Sequence, residues 1–290
     1  MTAQSATRHS MTASELDDLQ TAVALLENPG LGAKIADLIG TPIEKAIAML
    51  PARANSKISE VTQKVIEHTL NLSLKTLGRH DPQSPNAAPK ASNRWHMAAT
   101  AASGAIGGAF GMASLTVELP ISTAIIMRSI ADIARSEGAD LEQHQTRLDC
   151  VQILALGGRA SGDDAAEVGY FAVREAMAKA VSDATGFLAK HSVSKESGPA
   201  LVRLISQIAE RYSITVTEKA AATLVPLIGA VSGAVINTVF IHHFQNMARG
   251  HFIVRRLEHR HGKELVEKKY QQLRLAMLLQ QTPAASGTAG

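Results

Sequence analysis

The chain has 290 residues, of which 46% are hydrophobic, 3% aromatic and 19% charged, and it carries a formal net charge of +3. That apolar content excludes a disordered chain, and the single Cys150 excludes a small secreted domain held by disulfides. Few aromatics against abundant Ala, Leu, Ile and Val favour helices packed through small aliphatic side chains over a sandwich or barrel of short strands. The charge is unevenly placed. Residues 1–93 hold nine basic and nine acidic groups, residues 94–217 eleven and thirteen, and residues 218–290 nine and four. An anionic partner is therefore expected at the C-terminal end, where His251, His259 and His261 add charge below neutral pH.

Taken in chain order, residues 1–13 are polar, lack an apolar signal segment and read as a tail. Ser14 with Asp17 suggests a capping box for a helix over Glu15 to Glu27, ended by Asn28, Pro29 and Gly30. Thr41, Pro42 and Glu44 predict a second, short helix with proline at its first position. Ile58, Val61, Val65, Ile66, Leu70, Leu74 and Leu77 recur at spacings of three and four, which predicts an amphipathic helix from Ser56 to Leu77. The N-terminal helical region thus covers residues 14–77, and a proline-rich linker covers 78–93.

Residues 95–117 contain no formal charge and are dominated by Ala, Gly and Ser. Gly104 with Gly108, and Gly107 with Gly111, stand four apart, the spacing at which a helix offers a smooth stripe to another backbone. Pro120 is read as the start of a helix that reaches Glu137 and stops at Gly138. Further helices are expected over Leu141–Leu156, Asp163–Lys190 and Pro199–Thr217. A second uncharged run, Ala220 to Ile241, repeats the spacing with Gly229 and Gly233 and leads into a basic amphipathic helix from Arg249 to Leu279. Residues 281–290 read as a tail. The two runs, each followed by an Arg-bearing helix, suggest a weak internal duplication.

The second run has the length of a membrane span. Its ten Leu, Val, Ile and Phe residues contribute about -3 to -6 kcal/mol on an insertion scale, which Pro226, Asn237, the glycines and the hydroxyl residues offset to near zero. The first run is poorer still. The architecture expected is an all-α multi-helix bundle with these two Gly/Ala-rich helices at its centre, and a membrane-inserting hairpin or reversible membrane contact stands beside it as the other use of the runs.

Two separated motifs carry a family resemblance. The run from Gly104 to Ala113, then Glu118, Leu119 and Pro120, with Arg128, Ile133 and Ala134 following, resembles the central signature of the EcsC family. So does the stretch from Val225 to Asn237, continuing to Ala248, Phe252, Arg256 and Leu257. The likeness in order and spacing runs over about residues 40 to 275, with Glu118 standing where the family pattern leads one to expect aspartate. The resemblance implies an all-helical bacterial protein, from a family named for its association with an ATP-binding-cassette transporter system, with a helical core over residues 94–280. It implies no reaction.

Helical geometry places Ile121, Ile125, Arg128 and Asp132 on one stripe, within about 60 degrees of one another. Ala230, Gly233, Asn237, Phe240, Phe244 and Ala248 share another, so a polar amide sits among packing residues and needs hydrogen-bond partners. Glu118 and Arg128 are the natural ones. Glu118, Arg128, Asp132 and Asn237 are thus read as a polar cluster, either structural or the lining of a pocket.

Other patterns are weaker. Glu258 and His261 lack a second metal motif, the histidines at 242, 243, 251, 259 and 261 never stand four apart and read as surface residues, and no metal or cofactor is expected. Ser192 with Lys195 lies in a polar loop, and Cys150 sits on an apolar segment as a small core residue. Arg255, Arg256, Arg260, Lys263, Lys268 and Lys269 alternate with leucines in the last helix, which reads as a solvated face or as a contact with an anionic lipid surface, and fits either better than nucleic acid. The reading that emerges is a non-enzymatic cytoplasmic protein, peripheral at the inner face of the membrane, binding lipid or a membrane protein such as a transporter. A soluble enzyme, for instance a hydrolase with Glu118, Arg128, Asp132 and Asn237 around its pocket, is the alternative.

Overall fold

The computed structural model describes residues 10–27, 30–77, 115–158, 169–191, 198–225 and 233–281. These residues form ten α-helices and no strand: α1 (Ala13–Leu26), α2 (Leu31–Ile39), α3 (Ile43–Ala48), α4 (Ala54–Thr76), α5 (Leu115–Ser136), α6 (His144–Leu156), α7 (Tyr170–Lys190), α8 (Pro199–Ala222), α9 (Gly233–His261) and α10 (Lys263–Gln281). The all-α expectation holds.

Two long helices organise the rest. The helix α8 packs on α2, α3, α4, α6 and α7, while α9 packs on α1, α2, α5, α6 and α10. Their buried faces meet through aromatic edges: the rings of Phe240 and Phe244 are 5.1 Å apart, and Tyr212 of α8 lies 5.5 Å from Phe244. All three side chains are fully buried, and such pairs add to the burial of their large apolar areas. Close approach has its own requirement on the other side of α9, where a Cβ at Gly250 would stand 2.6 Å from the Leu26 side chain of α1.

The glycine-bearing runs are not seen as the central pair. Gly104, Gly107, Gly108, Gly111 and Gly229 lie outside the described residues, as do the linker 78–93 and both tails apart from their inner edges. Of the second run, Ala220–Ala222 complete α8 and Gly233–Ile241 open α9, so the run is not one continuous helix. The basic helix also divides. Gly262 takes φ +86 between α9 and α10, a left-handed geometry that glycine alone adopts without steric cost; the amphipathic pattern passes over this break because charged residues flank it.

Smaller differences have local causes. The capping box of α1 is made by Thr12, whose hydroxyl accepts from the Glu15 N–H while the Glu15 carboxylate accepts from the Thr12 N–H at 2.9 Å, two residues earlier than expected. Pro120 lies inside α5 and does not begin it; its ring lacks the N–H that the helix ladder uses. The predicted stop at Gly138 is found, with φ +80.

Candidate functional site

Lys219 is the residue on which the site is built. It stands in the last turn of α8, where a cation complements the helix dipole, and Glu118 stands in the first turn of α5, where an acid does so. Lys219 Nζ donates to Glu118 Oε1 at 2.5 Å and to Asn237 Oδ1 of α9 at 2.7 Å. The same ammonium lies 4.6 Å from the centre of the Phe240 ring, close enough for a cation–π attraction. Lys219 is 4% exposed and Asn237 fully buried. Burial pushes the Lys219 ammonium below its ordinary range, and the Glu118 carboxylate opposes that shift. The buried Tyr212 hydroxyl shares a 2.9 Å hydrogen bond with Thr123 of α5.

This trio joins three helix ends, and each end borders a glycine-rich run: α5 follows the first, α8 leads into the second, and α9 emerges from it. The chemistry of the arrangement is that of a pin. A buried charge is tolerable only when paired and hydrogen-bonded, and Lys219 meets one carboxylate, one amide oxygen and one ring face.

The residues singled out from sequence divide accordingly. Glu118 and Asn237 come together through Lys219, a partner that the sequence reading missed. Arg128 is exposed and lies outside the trio, and Asp132 pairs with Arg135 at 3.1 Å. Glu118, Arg128, Asp132 and Asn237 therefore do not line one cleft. The signal for Lys219 was its place beside Glu218 at the edge of an uncharged run, which reads equally well as the edge of a solvated helix.

A second network ties α6 and α7 to α9. Arg174 donates to both oxygens of Glu258, at 2.8 and 2.6 Å, and Arg255 reaches Asp149 at 3.1 Å and Glu258 at 3.3 Å. The Tyr170 hydroxyl lies 2.9 Å from His251 Nδ1 and receives Arg174 Nη1 at 3.3 Å. His251 is fully buried, and desolvation, aided by Arg174 and Arg255, holds it well below the usual histidine range and hence neutral. His243 is buried as well, with Nε2 at 2.9 Å from the Gly157 carbonyl oxygen. The expectation of surface histidines is thus corrected for these two: each has a hydrogen-bond partner supplied from another helix or its end.

The expected basic face needs the same correction. Arg255 and Arg256 are inward, the latter bonded to Asp18 at 3.0 Å and Glu137 at 3.1 Å. Arg260 meets Glu15 at 3.3 Å, and Arg274 meets Glu27 at 3.1 Å. The positive excess of the C-terminal quarter is in large part matched by acids of α1, α5 and α6. Lys263 and Lys268 remain exposed and Lys269 is half-buried. Cys150 is fully buried, and burial pushes its thiol up, as befits a core residue. Among the described residues no cluster of His, Cys, Asp or Glu suited to a metal is found, and no helix is long and apolar enough to cross a membrane.

Comparison with curated proteins gives no match, and comparison with solved structures gives none either. The profile of the EcsC protein family matches residues 9–257, which takes in α1 at the N-terminal side and stops short of α10. Both glycine-rich motifs and the Glu118, Lys219 and Asn237 trio between them fall within that match, and the chain belongs to the EcsC protein family.

Proposed function

We propose that this chain is a non-enzymatic helical protein that attaches peripherally to an anionic lipid surface at the inner face of the membrane, with α10 as its contact. The supporting observation is the outer stripe of α10. Leu275 is 59% exposed, Leu278 40% and Leu279 68%. At 100 degrees per residue Lys268, Leu275 and Leu279 fall within about 40 degrees, with Leu278 about 60 degrees to the side. The opposite face, carrying Val266, Tyr270, Leu273 and Met277, is the one that packs on the core. An exposed apolar stripe that continues from a lysine suits a helix lying in a membrane interface.

The magnitudes set the balance. Each lysine near an anionic surface contributes about 1 kcal/mol, and burying a leucine side chain contributes about 1.5 to 3 kcal/mol. Attachment therefore draws on both terms, and on the leucines more. The test is co-sedimentation of the full chain with neutral and with anionic vesicles, in low and high salt. The chain binds anionic vesicles, binds neutral ones weakly, and is partly released by salt as screening shortens to about 3 Å at 1 M. Leu275→Ser with Leu279→Ser abolishes binding. Absence of binding to anionic vesicles, or binding unchanged in the double variant, overturns the proposal.

A further inference from the structure

A groove of about 650 Å³ opens between α4 and α5, away from α10 and independent of the reading just given. Its floor is apolar: Val61 and Val65 of α4 and Met127 of α5 are 7%, 4% and 5% exposed. Above them stand two large apolar side chains that the fold leaves open, Leu72 at 43% and Ile121 at 47%, both lining the same groove. Its rim is basic. Lys57 and Lys64 of α4 flank a single acid, Glu60, at 3.3 and 2.7 Å, while Arg128 of α5 has no ion-pair partner among the described residues. Three cations against one carboxylate leave two positive charges over an apolar floor.

Volume, lining and charge each restrict the occupant. The volume is that of a small-molecule site. A largely apolar floor with polar groups confined to the edge suits a hydrocarbon chain whose polar end stays at the rim, and the surplus of cations asks that end to be anionic. Lysine and arginine extend apolar stems along such a wall while keeping their heads at its edge, so the same side chains cover the chain and meet the head. We infer that the α4–α5 groove binds a single-chain anionic amphiphile, with its acyl chain along Val65, Leu72, Ile121 and Met127 and its carboxylate or phosphate at Arg128 and the lysine pair. This assigns Arg128 a role apart from the Lys219 trio.

The test uses the full chain and titration calorimetry with oleate, with a lysophosphatidylglycerol and with oleyl alcohol, each below its aggregation concentration. Oleate or the lysophospholipid binds, and which of the two is tighter identifies the head group. Oleyl alcohol binds at least about tenfold more weakly than the better anion, and Arg128→Glu weakens that anion by about tenfold or more, the loss of one charge contact. Ala124→Trp, at an exposed position on the groove wall, blocks binding while circular dichroism and the melting temperature stay those of the wild type. Leu275→Ser with Leu279→Ser, which tests the α10 surface, leaves amphiphile binding unchanged, so the two readings fail separately. No binding of either anion, equal binding of oleyl alcohol, or binding unaffected by both groove variants overturns the inference. An acidic amphipathic helical peptide that binds the groove where neither anion does also overturns it, in favour of a protein-docking site.

Discussion

The C-terminal quarter uses its basic residues in two ways. Arg255 and Arg256 of α9, with Arg274 of α10 and Lys219 of α8, turn inward to acids supplied by other helices: Glu118, Glu137 and Asp149 from the middle of the chain, Asp18 and Glu27 from α1 and its end. Lys263 and Lys268 of α10 point to solvent, Lys268 on the stripe that carries the exposed Leu275 and Leu279. A guanidinium offers a planar fork of five donors that two or three fixed acceptors can satisfy at once, whereas an ammonium on a flexible stem keeps its hydration at an open surface. The difference teaches that a charge surplus counted along a sequence does not by itself mark a binding face. Most of it here is long-range pairing that closes the fold, and the face that remains is distinguished by its leucines.

The sharpest way to break this contrast is at Lys219. Lys219→Met leaves Glu118 and Asn237 without their shared donor and costs about 3 to 5 kcal/mol in denaturant unfolding. Adding Glu118→Leu recovers part of that loss, because the stranded carboxylate is then gone. A loss under about 1 kcal/mol in the single variant contradicts the role given to the trio.

Next in size is Arg256, which is 23% exposed and holds Asp18 and Glu137 together. Arg256→Gln costs about 1.5 to 3 kcal/mol, read from the shift in denaturation midpoint. Charge reversal at Arg255 or Arg256 therefore confounds folding with surface binding.

A smaller effect, readable through pH, belongs to Glu218, the acid beside Lys219. It accepts from the Gly32 N–H at the start of α2, and burial pushes its carboxyl up to about 7, Gly32 opposing and Glu44 adding to the shift. The folded state then holds a proton that the unfolded chain releases near 4.5. This contribution is fully present below pH 4.5 and is lost as pH rises through about 7. Glu218→Gln removes that slope, so its melting temperature gains on the wild type across this window and runs parallel above it. Parallel curves throughout contradict the assignment.

The smallest effect on stability is expected at the outward lysines. Lys263→Glu, Lys268→Glu and Lys269→Glu together change unfolding by about 0.5 kcal/mol or less, the range of surface substitutions away from special features, yet reduce binding to anionic vesicles strongly. Unfolding at the cost seen for Arg256 erases the distinction between the two groups.

The helices were legible in the sequence wherever burial imposes a spacing. Ile58, Val61, Val65, Ile66, Leu70 and Leu74 are all buried on α4, and Asn237, Phe240, Phe244 and Ala248 form the buried stripe expected on α9. The cap at Thr12 was displaced because two overlapping segments both offer a hydroxyl three residues before an acid, and only the backbone chooses. Lys219, Arg255 and His251 were not legible as interior residues. A polar group becomes tolerable inside only through partners brought from far along the chain, 101 residues away for Glu118 and 106 for Asp149, and helical periodicity carries no information across such distances. The same holds for the α4–α5 groove, whose walls are separate segments.

The central claim, that the outer stripe of α10 enters an anionic lipid surface, is tested most directly by a probe placed on it. Cys150 is fully buried, so Leu279→Cys in the native chain can be labelled selectively with an environment-sensitive fluorophore, and Lys190→Cys, exposed at the end of α7, serves as the reference. On adding anionic vesicles, emission from position 279 shifts to the blue and gains intensity while emission from position 190 stays as in buffer. No change at 279, or equal changes at both positions, contradicts the account.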